Sequence, residues 1–268
     1  MLSYFNNVVK IKKGGQKTVY RAEDPRRGPV IVKIGTARSR SGLERIQREA
    51  VLLREISSPY YPKNYDFQLL PGGSFLIVEE LIDGKPLMNY LTSFSSEQRA
   101  ADLVTHLVRG LTELWNLHIA HCDIKPGNIL ILKDKTPKII DLGIAKILPG
   151  SLCPPLRKSR VHCTPSYASP EQLRNQPSQV DYRTDQYSLG IVFAQLLLGG
   201  QHPFSPNLVA GSSIPENILA DNWYRKVLKD CRNSTVRQVL RRLLAWKPAQ
   251  RYADPNQLME EIRQTFRS

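Results

Sequence analysis

Hydrophobic and polar positions follow a short period at the start of the chain and a longer one afterwards. Over residues 8–35, β-branched runs (Val8-Val9-Lys10-Ile11, Thr18-Val19-Tyr20, Val30-Ile31-Val32-Lys33-Ile34) are separated by the turn formers Gly14-Gly15 and Asp24-Pro25, which predicts antiparallel strands. From Leu43 to Ile56 the apolar residues Leu43, Ile46, Ala50 and Leu53 recur at helical spacing, opposite Arg45, Arg48 and Arg54. Phe67–Leu70, the turn Pro71-Gly72-Gly73 and Phe75–Glu79 form a second hairpin pattern. After Asp83-Gly84 the period becomes helical, first over 97–118 and then near 185–199, 222–230, 234–246 and 255–265. Short strands at 129–132 and 138–140 and a loop over 148–167 interrupt it. The pattern predicts an α+β chain: a small β-rich lobe with one helix over 1–83, and a larger α-helical lobe over 84–268.

Composition narrows the class. The length of 268 residues suits one large domain or two lobes, and 41% hydrophobic with 23% charged residues is the make-up of a folded globule. No apolar N-terminal run resembles a signal peptide, and the longest apolar stretch, Leu189–Leu198, is broken by Gln195 and is too short to span a membrane. The chain is expected to be soluble and cytoplasmic. Cys122, Cys153, Cys163 and Cys231 form no CxxC pair, so free thiols are expected. Lys and Arg total 38 against 24 Asp and Glu, a net charge of +14 that favours anionic partners.

Chemistry concentrates in His121-Cys122-Asp123-Ile124-Lys125-Pro126-Gly127-Asn128-Ile129-Leu130, followed by Asp141-Leu142-Gly143. This HxDxKPxN loop with its later DxG resembles the eukaryotic-type (Hanks-type) Ser/Thr protein kinases. Phosphoryl transfer from ATP needs a carboxylate facing the acceptor hydroxyl, a cation near the transferred phosphate and oxygen ligands for a divalent metal. The resemblance implies Asp123 as base and Lys125 as cation. It implies Asn128 and Asp141 as ligands of Mg²⁺, or alternatively Mn²⁺, and a two-lobed protein-kinase-like fold.

Further matches extend from about Val8 to Ile262. Lys33 in Val30-Ile31-Val32-Lys33 resembles the lysine that meets the ATP phosphates, with Glu49 as its helix-borne partner. By the same resemblance Ile11, Gly14, Gly15 and Val19 cover the nucleotide, Glu80 C=O and Ile82 N–H meet adenine, and Leu130 packs beneath it. Lys12 and Lys17 stand where the family has the outer glycines of its phosphate loop, so charge replaces close backbone approach there. Glu79 falls at the back of the pocket, either buried against a Lys or Arg or pointing outward. Thr164 and Ser169-Pro170-Glu171 resemble the close of an activation segment, Asp185 the residue that holds the catalytic loop, and Arg251 the partner of Glu171.

Lys125 together with Thr164 favours Ser/Thr acceptors in a protein substrate. A pseudokinase scaffold and a small-molecule phosphotransferase of the same fold are the alternatives. Cys122 replaces the arginine that usually docks a loop phosphate, so activity should not require loop phosphorylation. The resemblance also brings Cys122 near Cys163, either as two unreacted thiols or as a regulatory disulfide. Nine basic residues against Asp230 between Trp223 and Arg251 mark a surface for an acidic partner or nucleic acid, with a solvated helix face as the plainer reading.

Overall fold

Five antiparallel strands come first: β1 (Asn6–Lys13), β2 (Lys17–Asp24), β3 (Gly28–Thr36), β4 (Asn64–Leu70) and β5 (Ser74–Glu80), in the order β1-β2-β3-β5-β4. A computed structural model describes residues 2–13, 17–37, 43, 46, 47, 56–142, 146–148 and 163–264. Gly14, Gly15, Glu49, Gly143, Cys153, Arg157, Lys158 and Arg160 lie outside them.

Side chains alternate along a strand, and the register fixes which share a face. Val32 stands opposite Val78, so Val30, Val32, Leu76 and Val78 point one way and pack with Phe5 and Ala22. Ile31 stands opposite Glu79 and Lys33 opposite Ile77, which sends these four to the other face. There Phe75 and Ile77 pack on Ile46, which is helical together with Leu43 and Gln47, inside the helix the sequence predicts. The first face is apolar and the second carries two buried charges.

Met1–Asp83 forms one compact unit and Gly84–Ser268 another. The second unit opens with β6 (Gly84–Pro86), which pairs with β8 (Ile129–Leu132), itself paired with β9 (Pro137–Ile139). Helix α1 (Glu97–Asn116) starts at Ser96, whose hydroxyl accepts the Arg99 N–H, and buries Leu103, Val104, Leu107, Val108, Leu111 and Leu114. A two-residue strand β7 (Ile119–Ala120) follows and pairs with β10 (Lys146–Ile147). Then come α2 (Pro170–Leu173), α3 (Tyr182–Leu197), α4 (Ile214–Leu219), α5 (Val227–Asp230), α6 (Ser234–Leu243) and α7 (Pro255–Gln264).

Helix α3 is the axis of this unit, buried all round from Thr184 to Leu196. Gly190 lets α6 approach it: a Cβ there would meet the Leu243 Cβ at 2.9 Å. The expected helix over 222–230 shortens to α5. The Asn222 and Tyr224 N–H groups donate to Asn217 C=O at 2.8 Å and Pro203 C=O at 2.9 Å, so this stretch gives its donors to other segments instead of a helical ladder.

Candidate active site

The loop over 121–128 is anchored on one buried carboxylate. Asp185, one turn into α3, accepts from the Trp115 indole at 3.0 Å, the His121 N–H at 2.8 Å and the Cys122 N–H at 2.7 Å. Burial pushes the Asp185 carboxyl above its ordinary value, against the lowering effects of His121 and these donors. The Asp185 side chain therefore fixes the backbone just ahead of Asp123. Cys122 takes a left-handed φ of +66° and Asp141 one of +70°, conformations that cost a non-glycine residue roughly 1 kcal/mol or more and persist only where neighbours enforce them.

Asp123 itself is held at both oxygens. Its Oδ1 accepts from the Thr164 hydroxyl at 2.6 Å, and its Oδ2 accepts from Lys125 Nζ at 2.6 Å and Asn128 Nδ2 at 2.9 Å. Lys125 also donates to Thr164 Oγ1 at 2.5 Å. A carboxylate has about four lone-pair sites and an ammonium three donors. Oδ1 thus keeps one acceptor site and Lys125 one donor after these contacts.

Asn128 donates through Nδ2 to Asp123 alone, leaving Oδ1 without a protein partner among the described residues. The Ile140 N–H donates to Asn128 C=O at 2.9 Å, which brings the chain at Asp141 alongside Asn128. The His121 ring ties the same two strands of chain together, 3.3 Å from Ile140 C=O, while its Nδ1 accepts the Asp123 N–H at 3.2 Å. Asp123, Lys125, Asn128 and Asp141 therefore lie in one unit on one loop and the residues after β9.

The segment Cys163–Pro170 is bolted to α3 by the Ser188 hydroxyl, which donates to Tyr167 C=O at 2.7 Å, and by the Tyr167 hydroxyl, which donates to Gln195 at 2.9 Å. Gln172 donates to Cys122 C=O at 2.8 Å, joining α2 to the loop that carries Asp123. Arg251 meets Glu171 in a fully buried two-pronged pair at 2.7 and 3.1 Å. Cys122, Cys163 and Cys231 are free thiols. Cys122 faces Ala120, Leu148 and Val180, and the Cys163 thiol is pushed up by burial first and by the Asp123 charge second.

In the first unit Lys33 Nζ lies 2.6 Å from Glu79 Oε2, both side chains almost fully buried. Of the two orientations open for Glu79, the structure adopts the buried and paired one. Val19 stands opposite Lys33 on β2, whereas Ile11 lies at an irregular step of β1 and is 56% exposed. The Glu80 carboxylate accepts the Lys63 N–H at 3.1 Å, Ile82 lies beyond the end of β5, and Leu130 is half-buried on β8 in the second unit.

Trp115 and Gln172 escaped the sequence reading. Gln172 stands three residues after Ser169 in a capping box, a local signal visible in the sequence, but its reach to Cys122 is a long-range contact that spacing does not carry.

Residues 5–265 match the family profile described as the protein kinase domain. The chain is 32% identical over 259 residues to the serine/threonine-protein kinases drp72 of Corynebacterium efficiens, covering 93% of this chain and 48% of that protein. It is 30% identical to PknA of Corynebacterium glutamicum, covering 91% and 52%. To PknB of Mycolicibacterium smegmatis it is 33% identical, covering 76% and 34%. The chain thus spans about half or less of the length of these curated relatives. With the Asp185-anchored loop, the Asp123 cluster and the Glu171–Arg251 pair in place, a match over nearly its whole length puts this chain in the protein kinase family.

Proposed function

We propose that the chain is an ATP-dependent protein kinase transferring the γ-phosphoryl group to serine and threonine hydroxyls. The Asp123 cluster carries this reading. An acceptor hydroxyl reaching the remaining lone-pair site of Asp123 Oδ1 would be oriented by it and could pass its proton to the carboxylate as the oxygen attacks phosphorus. Lys125, with one donor unspent, would face the transferred group's oxygens. Thr164 ties the segment that ends in Pro170 to the same carboxylate, so acceptor binding and base orientation share one hydrogen-bond network.

Asn128 Oδ1 and the Asp141 carboxylate are hard oxygen donors of the kind Mg²⁺ takes, and the amide of Asn128 is turned to leave its oxygen available. A bound Mg²⁺ would neutralise charge on the nucleotide phosphates. Lys33 would bind those phosphates, with the residues of β1 and β2 beside it. Free thiols at the three described cysteines fit a reducing, cytoplasmic setting, and among the described residues no helix is long and apolar enough to cross a membrane.

The basic surface is partly consumed by the fold: Arg225 pairs with Asp221, Arg242 with Glu261 and Arg251 with Glu171. Lys229, Arg237 and Arg241 share a groove with Trp223 and Trp246, the lining an acidic partner or nucleic acid would meet.

The test is transfer of labelled phosphate from ATP with Mg²⁺ to Ser- and Thr-containing peptides. Asp141→Ala is expected to reduce transfer to background while the circular dichroism spectrum is unchanged. Transfer by Asp141→Ala at the wild-type rate would sink the assignment.

A further inference from the structure

The second face of the five-stranded sheet carries two buried charges, which pair with each other. Lys33 on β3 and Glu79 on β5 are diagonal neighbours, one step apart in the register in which Ile31 faces Glu79 and Lys33 faces Ile77. Their contact of 2.6 Å lies within the sheet, between two central strands held by an unbroken antiparallel ladder. Across from Glu79 on β4 is Asn64, whose Nδ2 and Oδ1 are both buried without a hydrogen-bond partner. The local interior is therefore polar and only partly satisfied.

A buried ion pair is not, by itself, a source of stability, since desolvation of both charges offsets most of their attraction. Two apolar residues would serve the fold at least as well, as Val32 and Val78 do on the opposite face. An ammonium with one donor fixed by a rigid carboxylate keeps two donors for a further anion. Fixing one donor also removes part of the rotamer entropy that a long lysine side chain would lose on binding.

We propose that Glu79 is the positioning residue for Lys33: it anchors the ammonium from inside the sheet and aims its remaining donors at the nucleotide phosphates. Glu79 thereby performs the part that resemblance gives to the helix residue Glu49. The proposal rests on the reading of Lys33 as a phosphate contact.

The test uses affinity for a non-hydrolysable ATP analogue with Mg²⁺, measured by titration calorimetry, alongside steady-state transfer. Glu79→Gln, which keeps shape and loses charge, is expected to weaken analogue binding about tenfold or more, the size of one charged hydrogen bond to phosphate that an ammonium no longer aimed by Glu79 fails to make. KM for the peptide should stay within about twofold, because the peptide does not meet Lys33. Glu79→Asp, which keeps the charge on a shorter stem, should recover part of the loss. In a Lys33→Met background the same Glu79→Gln change should alter analogue affinity by less than about twofold, the non-additivity of a residue that acts through its partner.

Equal effects of Glu79→Gln in both backgrounds would overturn the proposal, as would wild-type affinity in Glu79→Gln with the loss appearing in Glu49→Gln instead. If Lys33→Met alone binds the analogue as wild type does, the reading of Lys33 itself is wrong. That result is distinct from a failure confined to Glu79.

Discussion

His202 shows how one half-buried side chain ties acid stability to the segment that presents Thr164. Its Nε2–H donates to Ser166 C=O at 2.8 Å and its Nδ1 accepts the Phe204 N–H at 3.2 Å, so the ring is bonded in its neutral form. Burial holds it down at about 4, with the Ser166 carbonyl pulling weakly the other way. The unfolded chain takes up this proton near pH 6.5 and the folded one only near 4. Stability from this residue is therefore complete above pH 6.5 and is lost as pH falls toward 4, by about 3 kcal/mol in all. Denaturant unfolding across that window should show a slope that flattens in His202→Gln, and identical slopes would refute the assignment. Cys122 supports a second expectation at the same scale. Its side chain sits in an apolar cluster and offers no cation to a phosphate, so phosphatase treatment should leave transfer within about twofold of the untreated protein. A silenced enzyme would contradict it.

Among the elements, α3 and α6 depend most on a single position. A methyl group at Gly190 would press into Leu243 Cβ at 2.9 Å and the Leu244 side chain at 3.1 Å, and both leucines are buried. Gly190→Ala should destabilise the protein by about 1–3 kcal/mol through overpacking, read as a lower unfolding midpoint with an unchanged denaturant slope. An unchanged midpoint would mean that the two helices separate freely. The long elements were legible in the sequence because their signals are local. The strands over 8–35 and the helix from 97 announce themselves by period and turn residues. Helix α4 did not, since six residues starting Ile214-Pro215 hold too little periodicity, although Ser213 accepting the Glu216 N–H is an ordinary N-cap. Strands β6, β7 and β10 escaped for another reason: with two or three residues each, they exist only through pairing with distant partners.

For the whole molecule, Asp123, Lys125 and Asn128 were legible as a motif because they lie close in sequence within a pattern that resembles a known family, and their side chains meet in the structure. The partner of Lys33 was not readable. Whether Glu79 turns in or out depends on the strand register, and a slip of one residue reverses every side chain. Asp123, held by Thr164, Lys125 and Asn128, carries the proposed Ser/Thr kinase activity. Its most direct test is the rate of γ-phosphoryl transfer to matched Ser, Thr and Tyr peptides by wild type and Asp123→Asn, with nucleotide binding measured in parallel. Wild type should phosphorylate the Ser and Thr peptides and not the Tyr peptide, and Asp123→Asn should lose transfer by at least about a hundredfold while binding nucleotide as before. Wild-type transfer by Asp123→Asn, or a wild type that binds nucleotide and transfers nothing, would contradict the account.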